Sequence, residues 1–204
     1  MKKVCENWEK VITVKDVDIS LFEEFHERTK IIGAELFHVK TITEAKNVLI
    51  NLVRSTNAHK VVAVNCPLLQ AAGISEALLT MGVEVYTDAA NVRVHCETAD
   101  IGISGVEFGI AESGSVCLDS YSVESRLVSA MTPMHVVFLN SRNIVKGIAD
   151  AVEIVSRIFD RGYVTFISGP SRTADIERVL TIGVHGPSRF IIIAVDEQVN
   201  GGVD

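Results

Sequence analysis

Beyond residue 30, short apolar runs alternate with longer stretches in which apolar positions recur every three or four residues. Ala34 to Val39, Val61 to Asn65, Val83 to Thr87, His135 to Leu139 and Phe190 to Val195 are short and largely apolar, as strands are. Between them, Ser20 can cap a helix running to about Ile32. Thr43 can cap another, in which Ala45, Val48, Leu49, Leu52 and Val53 share one face. Ser75 opens a short helix closed by Gly82, and further helices are predicted from Glu124 to Met131 and from Ile144 to Phe159. Strand and helix alternating in this way define an α/β protein with a mostly parallel sheet flanked by helices. The alternation is interrupted once, from Ala99 to Ser120, where two apolar pieces flank Glu112-Ser113-Gly114-Ser115 as a hairpin would. Residues 1–18 follow neither pattern and form an N-terminal arm to a domain over 19–204.

The run from Tyr163 to Pro187 carries the densest chemistry. Tyr163 to Ile167 is a strand, and Ser168-Gly169-Pro170 breaks it. A helix is then expected near Thr173, capped by Ser171 or Thr173, with Asp175 and Glu177 in its first turn. Free amides at such a helix start, the hydroxyls of Ser168, Ser171 and Thr173, the Gly169 backbone and the Arg172 guanidinium would together hold a small carboxylate or phosphate. An ordinary capped turn with a surface arginine accounts for the same spacing. Glu112, on its tight turn, is a candidate general base or nucleophile, or else a solvated turn residue. His185, between Gly183 and Gly186, is a candidate proton shuttle or anion donor, or else a loop histidine bonded to a neighbouring carbonyl.

Composition narrows the classes. The 204 residues are 48% hydrophobic and 22% charged, enough for one domain with a sizeable core. A net charge of −7 disfavours nucleic acid and anionic membranes as partners. No apolar run approaches the ~20 residues of a membrane span, and the first residues do not resemble a signal peptide, so a cytoplasmic location is expected. Cys5, Cys66, Cys96 and Cys117 are 61, 30 and 21 residues apart, without the close pairs of zinc sites or iron-sulfur clusters. No metal or cofactor is therefore assigned to this chain. Cys66, before Pro67, is the one cysteine placed to face a ligand. There is no GxGxxG after a strand and no GxxxxGK[ST] loop, which argues against dinucleotide binding and the common nucleotide hydrolases.

Gly109-Ile-Ala-Glu-Ser-Gly-Ser-Val116, Ile167-Ser-Gly-Pro-Ser-Arg-Thr-Ala-Asp-Ile-Glu177 and Gly183-Val-His-Gly-Pro187 together resemble the signature of the LUD domain family, in its lactate utilization protein C branch. The resemblance runs from about Ala34 to Asp196 and includes Pro133-Met134-His135. It implies a fold similar to the ribose phosphate isomerase, glucosamine phosphate deaminase and CoA-transferase group, with sites at strand C-termini. It also implies a place in a three-part system oxidising L-lactate to pyruvate, in which sister subunits carry the iron-sulfur clusters and this chain is the cluster-free subunit. In related CoA-transferases the nucleophile is a Glu on a glycine-flanked turn, which Glu112 matches in type and setting. A stand-alone CoA-transferase-like or phosphosugar-type enzyme is therefore the alternative expectation. Self-association into a homo-oligomer is compatible with either.

Overall fold

A computed structural model describes residues 18–158, 163–174 and 180–199. Six strands form the central sheet: β1 (Glu35–Val39), β2 (Lys60–Ala63), β3 (Glu84–Tyr86), β4 (Ile101–Gly105), β7 (Met134–Asn140) and β12 (Arg189–Val195). Their order is β1-β12-β7-β4-β2-β3, and every neighbouring pair is parallel. The expected mostly parallel sheet is thus present. Because all six strands run the same way, their C-terminal ends and the loops that follow line one edge.

Both faces of this sheet are covered at its centre, which is why β7 and β12 are buried without alternation and are mostly apolar. Val136, Phe138, Ile191 and Ile193 point to one layer, where α2 (Ile42–Thr56), α3 (Pro67–Ala71) and α4 (Ile74–Thr80) supply Leu49, Leu52, Leu69, Ile74 and Leu78. The helix expected to be capped by Thr43 is capped by Thr41 and starts at Ile42. Thr41 and Glu44 form a reciprocal capping box there, a stronger stop than the Thr43 hydroxyl offers. On the other face, α5 (Ala89–His95) and α6 (Val123–Met131) cover β2 and β4 through Val92 and Val128. Beside them Val137, Leu139, Phe190 and Ile192 pack against α1 (Phe22–Ile31) and a second sheet.

That second sheet has the order β8-β5-β6-β9, built from β5 (Phe108–Ile110), β6 (Ser115–Asp119), β8 (Ile144–Val145) and β9 (Val164–Ile167). β5 and β6 are the expected hairpin around Glu112 to Gly114. Its outer face, through Phe108, Ile110 and Cys117, packs on Ala151 and Ile154 of α7 (Ile148–Ile158). The helix expected from Ile144 therefore divides: Ile144 and Val145 pair with β5 as a strand, and the helix begins only after Gly147. A separate two-stranded hairpin joins β10 (Arg172–Ala174) to β11 (Leu180–Ile182).

Candidate functional site

Thr173, where a helix start is expected, lies in a strand. Arg172 pairs with Ile182, Thr173 with Thr181 and Ala174 with Leu180 as an antiparallel ladder. The Ser171 amide donates to the Pro187 carbonyl at 2.8 Å, and the Gly183 amide donates to the Ser171 carbonyl at 2.9 Å. These groups serve the hairpin and its flanks, so the amides counted on for an anion are not those of a helix start. β-Branched Thr173, Thr181 and Ile182 favour this pairing, and it outweighs the local capping pattern. Asp175 and Glu177 lie outside the described residues.

The other expected site residues find partners of their own. Gly169 sits at φ +83°, and a Cβ there would lie 2.5 Å from the Ile32 carbonyl oxygen, so the turn after β9 presses on the end of α1. Arg172 reaches the same carbonyl, donating from Nη2 at 2.8 Å, a cation placed at a helix C-terminus. Ser168 is hydrogen-bonded through Oγ to Ser115 Oγ at 2.6 Å, tying β9 to β6. Ser171 Oγ donates to the His185 carbonyl at 3.2 Å, while the imidazole belongs to an exposed loop residue.

Glu112 is exposed, and its Oε2 accepts from the Ile148 amide at 3.2 Å. It caps α7 from outside, a carboxylate at a helix N-terminus. Gly147 makes room for it, since a Cβ there would fall 2.7 Å from Oε2. The structure thus joins Ser168 to Ser115 and Ser171 to His185. The polar contacts of Glu112 are with α7 and those of Arg172 with α1.

A different cluster, not anticipated from sequence, occupies the C-terminal edge of the central sheet. His38 is the fourth residue of β1, Asp196 follows β12 and Ser141 follows β7. These three strands are adjacent. One carboxylate oxygen, Asp196 Oδ1, accepts from Ser141 Oγ at 2.5 Å and meets His38 Nε2 at 2.6 Å. The backbone fixes the frame: the Asp196 amide donates to the Val39 carbonyl and the Ser141 amide to the Val195 carbonyl. Ser141 is buried, and the buried Phe22 ring lies 4.3 Å from the His38 ring. The His38 and Asp196 side chains remain 42% and 32% exposed, within reach of a small solute.

Burial alone would raise the Asp196 pKa. Hydrogen bonds from Ser141 and His38, with the charges of His38 and Arg142, outweigh it and hold the carboxyl below its ordinary value. An ionised carboxylate only accepts. His38 Nε2 therefore carries the proton of this contact, and Nδ1 is the ring nitrogen the contact does not use. The sequence signal was a polar residue ending an apolar strand, in Phe-His-Val, Leu-Asn-Ser and Val-Asp-Glu.

Two further groups are withdrawn from water, His135 fully and Cys66 in part. His135 on β7 is buried, its Nε2 bonded to Ser104 Oγ at 2.9 Å and its Nδ1 unpartnered, and desolvation pushes its pKa down to about 3. Cys66, ahead of α3, lies against Gly105, where a Cβ would come within 2.8 Å of its own Cβ. Burial pushes its thiol up to about 11, so it is no thiolate nucleophile at neutral pH. Among the described residues, no three His, Cys, Asp or Glu side chains are grouped to hold a metal ion. No helix among them is long and apolar enough to cross a membrane.

A mostly parallel central sheet flanked by helices defines an α/β domain, the class in which ligands commonly bind at the C-terminal edge of the strands. Residues 22–195 match the LUD domain model, and the chain belongs to that family. It is 31% identical over 155 residues to lactate utilization protein C of Halalkalibacterium halodurans, covering 72% of this chain and 67% of that one. It is 29% identical over 178 residues to lactate utilization protein C of Deinococcus radiodurans, covering 86% and 79%. Other proteins of that name align over about half their length. Among solved structures, a DUF162 family protein from Deinococcus radiodurans superposes with a TM-score of 0.59 at 22% identity, covering 86% of this chain and 96% of that one. That likeness supports the fold.

Proposed function

We propose that this chain is a cluster-free subunit of a lactate-utilization system, binding a small carboxylate while iron-sulfur partner subunits carry the electrons of L-lactate oxidation to pyruvate. The observation carrying this reading is the similarity to proteins named lactate utilization protein C, which in one case covers 86% of this chain. The cysteine pattern supports the division of labour, since its four members are too dispersed for a cluster. The CoA-transferase-like alternative receives no support from Glu112, whose carboxylate caps α7.

Deletion of the gene and tagged purification from cells grown on lactate test the proposal together. The expected result is loss of growth on L-lactate, growth retained on pyruvate, and recovery of an iron-sulfur protein with the tagged chain. Normal growth on lactate after deletion, with no iron-sulfur protein recovered, overturns it.

A further inference from the structure

We propose that the His38, Asp196 and Ser141 cluster is a binding site for a small 2-hydroxy carboxylate, in which His38 Nδ1, the ring nitrogen not used by Asp196, hydrogen-bonds the ligand hydroxyl and Arg142 supplies the positive charge for its carboxylate. The ligand class rests on the lactate-utilization reading; the location rests on the geometry alone.

An ordinary exposed ion pair is a flexible contact between two long side chains, worth little and held by nothing else. The His38 and Asp196 pair differs in three respects. The carboxylate is anchored from behind by a buried hydroxyl on a third strand, Ser141. Both partners stand on or directly after strands whose backbone ladder continues through them, from Val195 to Ser141 and from Val39 to Asp196. The imidazole is backed by the Phe22 ring. A base oriented by a second group, itself oriented by a third, is the arrangement by which proteins fix one imidazole nitrogen toward a ligand.

The charges around the cluster fit an anion carrying a hydroxyl. The Asp196 carboxylate is occupied by His38 and Ser141, and the neighbouring Glu197 accepts from the Ile42 amide at the start of α2. Arg142 follows Ser141 directly, is exposed, and lies close enough for its charge to act on Asp196. A ring nitrogen beside a cation matches a hydroxyl beside a carboxylate, and a site built to hydrogen-bond a hydroxyl discriminates strongly against the analogue that lacks it.

The test titrates the isotopically labelled full chain with sodium L-lactate and, separately, with sodium propionate, which keeps the carboxylate and lacks the hydroxyl, following the His38 ring resonances. Lactate is expected to shift them saturably, with propionate at least about tenfold weaker. His38→Gln should reduce lactate binding to the propionate level, and Arg142→Ala should weaken both. Equal affinities for the two acids, or no saturable change at His38 with lactate, overturn the proposal. Should His38→Gln fail to fold, the comparison of the two acids on the unaltered chain decides by itself. A strain carrying a folded His38→Gln that grows normally on lactate, where the deletion does not, removes this site and leaves the lactate-utilization role standing.

Discussion

A neutral imidazole sealed against Ser104 and near Phe190 makes the fold sensitive to acid at His135. Its pKa falls from an ordinary 6.5 to about 3 because burial disfavours the charged form. Between those values the unfolded chain binds a proton that the folded chain refuses. The stability tied to neutral His135 is therefore complete above pH 6.5 and is lost as pH falls toward 3, at roughly 1.4 kcal/mol per pH unit. Urea unfolding at pH 7 and pH 5 should show His135→Gln losing roughly 2 kcal/mol less than the unaltered chain over that interval. Equal losses would place the acid sensitivity elsewhere. Gly114 makes a second demand at the same scale. It sits at φ +68°, and a Cβ there would lie 2.6 Å from backbone atoms of Arg28 and Thr29. Gly114→Ala strains the backbone and pushes the β5–β6 turn off α1 together, so its unfolding free energy, read from urea denaturation, should drop by more than about 1 kcal/mol.

At the scale of elements, Glu112 tests whether a residue that looked catalytic is serving a helix. Glu112→Gln keeps an acceptor for the Ile148 amide but removes the charge that complements the α7 dipole. The expected loss is about 0.3–1 kcal/mol, shrinking as salt is added, whereas Glu112→Ala, which also abandons the amide, should lose more. A loss unaffected by salt would separate Glu112 from the helix charge. The same residue shows which features were legible beforehand. Its turn was, because two apolar pieces around Glu-Ser-Gly-Ser specify a hairpin locally. Its partner was not, because Ile148 lies 36 residues away. The error at Thr173 has the same origin. Ser-Arg-Thr followed by acidic residues reads as a helix start within one turn of chain, while the competing partners, Thr181 and Ile182, lie beyond it. Thr41 with Glu44 was a readable capping box that Thr43 obscured, and Asp88, which caps α5, marked a helix too short for its periodicity to register.

For the whole molecule, the strands were legible because burial on both sides writes itself as continuous apolar runs, whereas the candidate site was not, because it depends on strand order. His38 and Asp196 are 158 residues apart and Ser141 is 55 from Asp196; they meet only because β12 lies between β1 and β7. The two sheets also share a core. Leu139, fully buried on β7 of the first sheet, shares its core with Ala111, Val116 and Ile144 around the second. Removing most of its side chain opens a cavity at the seam and not within either layer. Leu139→Ala should therefore destabilise by about 2–5 kcal/mol. Hydrogen exchange should show β12 and β6 amides losing protection over the same range of denaturant, because neither sheet keeps a complete core without the other. If the β6 amides open well before those of β12, the second sheet is an independently melting layer. The strand ends holding His38, Ser141 and Asp196 would then keep their geometry without it. If the two open together, any substitution in the shared core also loosens the candidate site, and binding measurements on such variants must be read against their stability.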